Sequence, residues 1–265
     1  MLKNVFLKTL RDQSGSIFWW STGFVFLSIY LSWFYPYISR NAEIFKMVEA
    51  LPPVIKDLIG DIDFAATPAG FFNLQPFSFF APILILFYSV SKGVGAVAGE
   101  KENGTLDLLL SKPLPRSRVI IQKILSLSAG LAIIHVFFYL GMIFGVTLFQ
   151  INLNPARLAA AVTALYFLSL SFLTISAAAG VILLDRKKAV GAVSGFALIS
   201  FIINAYAPTM KLFQIARAFS PFYYNSGNSP IQNGLDFRLL LTQILIAAFF
   251  LFLAVTVFNK RDLYS

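Results

Sequence analysis

At 265 residues, with 58% hydrophobic and only 12% charged side chains, the chain has too little polar surface to cover a soluble core of its size. The net charge of +9 does not point to nucleic acid, because no basic stripe with interleaved aromatics lies outside the apolar stretches. Cysteine is absent, which excludes disulfides and thiol metal sites.

Six stretches without Asp, Glu, Lys or Arg divide the chain: 17–38, 64–91, 124–156, 158–184, 189–210 and 239–259. A helix needs about 20 apolar residues to cross the hydrocarbon core, so all six qualify. They lack the alternation that a transmembrane barrel strand requires. The expected fold is an all-α polytopic membrane protein with six transmembrane helices, at about 17–38, 70–97, 122–150, 157–184, 189–208 and 239–259. The loops are too short for a separate soluble unit, so 1–265 reads as a single integral membrane domain.

In chain order, Met1 to Asp12 followed by an uncharged run resembles a secretory signal, but the apolar region is too long and no small-residue cleavage site follows. Trp19 and Trp20 near one end, and Trp33, Tyr35 and Tyr37 near the other, form the aromatic belts of a retained span. The first outer loop, 39–63, carries Ile44, Val48, Leu51, Ile55 and Leu58 at spacings of three and four, interrupted by Pro52 and Pro53. Two short interfacial helices are expected there, the second stopping near Gly60, serving as a cover for the spans or as a substrate gate. Thr67 and Pro68 have the character of an N-cap and first helical residue for span 2, in which Pro76 and Pro82 call for a kink or a re-entrant first part. Lys92, near the inner end, is placed to snorkel to the headgroups.

The inner loop, about 99–120, is the most charged. Thr105 can cap a short helix, Asp107 suits its first turn and Pro113 ends it, leaving Leu106, Leu109 and Leu110 as an apolar face that needs headgroups or another protein. A new helix starts around Pro115, and Arg116, Arg118 and Lys123 mark the inner interface. The nearest approach to a phosphate-binding loop, Gly95 to Lys101, has the wrong spacing and an intervening Glu100.

All twelve acids fall outside the uncharged stretches, so no paired intramembrane carboxylates exist to relay protons. Within span 3, His135 is either hydrogen-bonded to a neighbouring helix or a proton or ligand group, and Asn204 in span 5 has the same two readings. Glycine pairs Gly95/Gly99, Gly141/Gly145 and Gly191/Gly195 are expected to let helices approach closely. Asp185-Arg186-Lys187-Lys188 is an inside anchor or a second partner contact, and the outer segment around Ser220-Pro221-Phe222-Tyr223-Tyr224 is expected to dip to the interface and turn at its glycines. With both termini inside, inner segments hold fourteen of the 21 basic residues, as the positive-inside rule asks.

The run Gly99, Glu100, Glu102, Gly104, Thr105, Leu106, Leu109, Leu110, Pro113 and Arg116 matches the Gly-Glu-x-Glu-x-Gly-Thr-Leu-x-x-Leu-Leu-x-x-Pro-x-x-Arg pattern of type-2 ATP-binding-cassette exporter permeases. The chain resembles that family further at Leu51-Pro52 and Gly60, Thr67-Pro68-Ala69-Gly70-Phe71, Ser220-Pro221-Phe222 and Phe258-Asn259-Lys260-Arg261-Asp262-Leu263. The resemblance implies a non-catalytic transport subunit in the cell membrane, both termini cytoplasmic, whose short inner helix is a coupling helix. The partners it implies are two cassette ATPase subunits, a second permease chain, identical or related, and membrane lipids. ATP and Mg would bind in the ATPase partner, with no cofactor on this chain. The ten matching residues would form the ATPase-coupling site, with Glu100, Glu102, Lys101, Lys112 and Arg116 making polar contacts to the ATPase or forming a solvated face. Two other functions fit the composition: an ATP-independent carrier or scaffold centred on His135, and a lipid-modifying membrane enzyme using Glu100, Glu102 and Asp107.

Overall fold

The computed structural model describes residues 4–39, 67–104, 115–207 and 210–260. The expected interfacial helices of 40–63 and the terminal residues Arg261 to Leu263 lie outside them. Every regular element among the described residues is helical. Six helices have the length and apolarity to cross a membrane: span 1 (Ser14–Ser39), span 2 (Pro68–Glu102), span 3 (Arg116–Leu148), span 4 (Pro155–Leu183), span 5 (Arg186–Tyr206) and span 6 (Phe237–Lys260). Span 2 ends and span 3 begins beyond the uncharged stretches, because Glu100, Lys101, Glu102, Arg116, Arg118 and Lys123 continue the helices at their inner ends. An additional amphipathic helix, Val5–Asp12, precedes span 1, capped by the Asn4 side chain.

Local chemistry explains the starts. Thr67 Oγ1 accepts from the Gly70 N–H at 3.1 Å with Pro68 as the first helical residue, as read from the sequence. Asn154 caps span 4 ahead of Pro155, accepting from the Ala156 N–H at 2.9 Å, and Asp185 caps span 5 by accepting from the Lys188 N–H at 3.0 Å. That backbone donor, reinforced by the nearby lysines, holds the exposed Asp185 carboxyl below the usual carboxylate value. A depressed carboxyl contributes stability above its unfolded value and loses it as pH falls.

Span 2 is one continuous helix from Pro68, so its first part is not re-entrant. Pro76 sits in a π-helical segment, Asn73–Phe80, where the Ala81 N–H donates to the Pro76 carbonyl five residues back. Widening the turn re-pairs backbone groups that a proline would otherwise orphan in lipid. A second π-helical segment, Gly95–Gly99, lies at the inner end.

Span 4 is the most buried of the six and packs against spans 2, 3, 5 and 6, while span 1 lies on span 3. Leu165, Leu168, Phe172 and Leu173 form its sealed core, and Phe138 joins span 3 to Phe24 and Phe77 at centroid distances of 5.0 and 5.6 Å. Lipid offers no hydrophobic drive between helices, so close backbone contact does this work. Gly141 and Gly145 lie directly against span 1, where an added Cβ would come within 2.9 Å of Val25 Cα and 2.4 Å of Ser32 Oγ. The other two pairs do not act this way: a Cβ on Gly95, Gly99, Gly191 or Gly195 meets nothing within 4 Å. The close crossing of spans 2 and 4 instead uses Gly93 and Gly180, which are far apart in sequence and share no spacing signal.

The outer connection between spans 5 and 6 goes deeper than the interface. Ser220 Oγ donates to the Ser200 carbonyl at 2.9 Å, and Phe222 is buried between Phe172 and Phe201 at 5.5 and 5.4 Å. Only Tyr223 and Tyr224 follow the expected surface placement, with the Arg217 guanidinium 4.0 Å from the Tyr223 centroid.

Gly93→Ala places a Cβ 2.5 Å from the Leu173 carbonyl oxygen and 2.6 Å from Ser176 Cβ, and overpacking of this kind costs about 1–3 kcal/mol. Thermal unfolding in detergent will show a lowered midpoint for Gly93→Ala and an unchanged one for Gly191→Ala; equal midpoints would contradict this crossing.

Candidate functional site

The inner end of span 2 carries the sequence motif, and its backbone explains two of the motif's residues. The Asn103 N–H donates to the Gly99 carbonyl at 3.0 Å and the Gly104 N–H to the Lys101 carbonyl at 3.1 Å, closing the last turn. Gly104 then takes φ +66°, a left-handed conformation that costs a side-chain-bearing residue about 1–2 kcal/mol. The turn ends the helix and sends the chain away from the membrane span. Thr105, Leu106, Leu109, Leu110 and Pro113, with Asp107 and Lys112, lie outside the described residues. The chain resumes at Pro115, directly before Arg116 opens span 3.

Both motif carboxylates are bound to other spans. Glu100 forms an ion pair with Lys123 of span 3, whose Nζ also donates to the Ala96 carbonyl at 3.0 Å within the Gly95–Gly99 π segment. Lys123 does not mark the interface as the sequence suggested: it is buried and turned inward because span 2 supplies two acceptors at that level. Glu102 meets Arg186, the first residue of span 5, at 3.3 Å, with both side chains about half exposed. One short turn therefore holds the inner ends of spans 2, 3 and 5 together.

A buried polar cluster lies beside it. Gln13, between the amphipathic N-terminal helix and span 1, donates from Nε2 to the Ser126 carbonyl at 2.8 Å and accepts from the Tyr88 hydroxyl at 2.9 Å. Gly130 leaves room for both partners, since a Cβ there would lie 3.0 Å from each. Lys92 Nζ donates to Ser16 Oγ at 2.8 Å and stays within the helix bundle; the expected reach to the headgroups is replaced by this contact. Sequence reading missed Gln13, Tyr88 and Ser126 altogether: only their meeting across three helices distinguishes them.

The intramembrane polar residues are satisfied locally. His135 Nδ1 donates to the Leu131 carbonyl of its own helix at 2.8 Å, and Nε2 lies 3.3 Å from Ser169 Oγ of span 4. Tyr166 meets the ring edge-on at 5.5 Å. Asn204 Nδ2 donates to Ser226 Oγ at 3.2 Å, fastening span 5 to the outer connection. Both follow the first of their two sequence readings, a hydrogen bond to a neighbouring element.

Six apolar helices, cross-linked by polar pairs at one end, define a multi-pass membrane protein whose charged loop is built into the helix bundle. The chain matches the family described as ABC-2 family transporter protein over residues 4–263 and belongs to it. It is thus a membrane permease of the ATP-binding-cassette class. No curated protein matches the chain.

Removing one partner of a buried ion pair strands the other charge at a cost of about 3–5 kcal/mol, toward the lower end here because Glu100 keeps 27% side-chain exposure. Glu100→Gln should therefore lower the detergent unfolding midpoint strongly, and adding Lys123→Met should recover most of the loss. Glu102→Gln, in an exposed pair, should change stability by under about 1 kcal/mol. A similar loss from both single variants would show that the Glu100–Lys123 pair is not the stronger brace.

Proposed function

We propose that residues 99–116 couple this permease to ATP hydrolysis in separate cassette ATPase subunits, and that the whole chain, 1–265, acts as one membrane domain exporting a substrate across the cell membrane. Leu106, Leu109 and Leu110 form the apolar face that docks on the ATPase, with Thr105 capping the helix, Pro113 ending it and Arg116 leading back into the bundle. Two ATPase subunits, which bind ATP and Mg, and a second permease chain complete the transporter. Both termini lie on the ATPase side, which puts fourteen of the 21 basic residues in the inner segments.

The observation that carries this reading is the double anchorage of the motif. A docked loop held to span 3 through Glu100 and to span 5 through Glu102 transmits its displacement to two helices besides the one it extends. Gly99 and Gly104 serve this arrangement, the first within the π-helical turn and the second as the helix stop. ATP can shift the spans only if the ATPase binds the loop differently in two states, so coupling requires a loop that is firmly held at its base. The carrier reading gains no support from His135, whose two ring nitrogens are both engaged.

Recovery of the chain from its native membrane should bring with it a nucleotide-hydrolysing subunit. Leu109→Asp should lose that subunit at least tenfold while the permease still inserts, because a carboxylate in the docking face must be desolvated. Recovery of the chain alone, or equal recovery with Leu109→Asp, would refute docking through this face.

A further inference from the structure

Spans 2 and 5 diverge around a cavity of about 890 Å³. Its walls are apolar, formed by Leu86, Phe87 and Val90 on one side and Val190, Leu198 and Phe201 on the other. Span 5 presents only Gly191, Ser194 and Ala197 between them, so no large side chain fills the space. At the end next to the charged loop the lining changes to Glu102, Arg186 and Lys187, two cations against one carboxylate.

We propose that this cavity binds an anionic phospholipid, its phosphate at Arg186 and Lys187 and its acyl chain along the apolar walls. The proposal rests on the chain spanning a membrane and is independent of coupling to an ATPase. Three features select a phospholipid. The excess positive charge at the mouth is neutralised by one phosphate, which guanidinium and ammonium groups both bind well. The walls run out to Phe87 and Leu198, which are 65% and 61% exposed on faces that meet lipid, so an acyl chain enters sideways while a water-soluble anion would leave the walls bare. A membrane helix about 10 Å across and 30 Å long occupies on the order of 2,400 Å³, far more than the cavity holds.

The site also touches the motif. A phosphate at Arg186 competes with Glu102 for the same guanidinium, which is 3.3 Å from the carboxylate and on an exposed pair that is readily exchanged. Lipid binding would thereby release the loop's link to span 5 while leaving the Glu100–Lys123 link in place.

The full chain, with whatever subunits it carries, can be reconstituted in vesicles of equal phosphatidylglycerol and phosphatidylcholine, extracted gently, and its retained lipid measured. Wild type should retain phosphatidylglycerol over phosphatidylcholine by roughly tenfold, the preference that two basic residues near a headgroup supply. Arg186→Gln with Lys187→Gln, both on the surface, should abolish the preference. Ser194→Trp, which fills the cavity, should reduce total retained lipid, whereas Phe252→Trp on the exposed face of span 6 should not. Equal retention of both lipids by wild type, or a preference that survives both sets of changes, would overturn the proposal. So would oxidative cross-linking of two copies through S194C, which is unambiguous in a chain with no native cysteine and would show that a second copy occupies the cavity.

Discussion

Close backbone approach around span 4 is the constraint on which the rest of this structure depends. Helices in lipid gain nothing from hiding apolar side chains from one another, so they hold together where atoms meet densely and where polar groups pair. Gly93 and Gly180 let spans 2 and 4 meet almost backbone to backbone, and Gly141 and Gly145 do the same for spans 3 and 1. These crossings fix the heights at which side chains face one another. Lys123 reaches the Ala96 carbonyl and Glu100, and Gln13 reaches Ser126 and Tyr88, only because the helices are already that close.

The π-helical turns belong to the same logic. In water, a backbone carbonyl left over by a wide turn finds solvent; in a membrane it needs a partner within the protein. At Asn73–Phe80 the wide turn accommodates Pro76, and at Gly95–Gly99 it presents the Ala96 carbonyl to the Lys123 ammonium. The second site serves a purpose the first does not: it brings a buried cation to the foot of the loop that the family match makes the centre of interest.

Much of this was legible in the sequence. Uncharged length alone located six spans, and the Thr67-Pro68 pair marked the start of span 2 to the residue, because both signals act within a few positions of chain. The glycine pairs were read correctly at Gly141 and Gly145 and wrongly at Gly95, Gly99, Gly191 and Gly195, since spacing shows that two glycines share a helix face but not which face another helix will cover. The same limit applied to charge. Lys123 looked like an interface anchor because a cation near a span end usually is one, and its inward turn depends on acceptors 23 and 27 residues away. Phe222 looked like a surface aromatic because its neighbours are tyrosines, yet the Ser220 bond to Ser200 draws it into the core.

The two links at the base of the loop differ in strength, and that difference has a mechanical meaning. Glu100–Lys123 is largely buried, so parting it leaves an ammonium without an adequate substitute for water. Glu102–Arg186 is about half exposed, so water or another anion replaces either partner at little cost. Under load from a docked partner, spans 2 and 3 therefore move together as one body, while span 5 can separate. The cavity between spans 2 and 5 lies along that weaker seam, with Arg186 at its mouth. A structure that must change shape in the membrane gains from such an arrangement: rigid where force enters, and yielding beside a space that lipid is able to fill as the helices part.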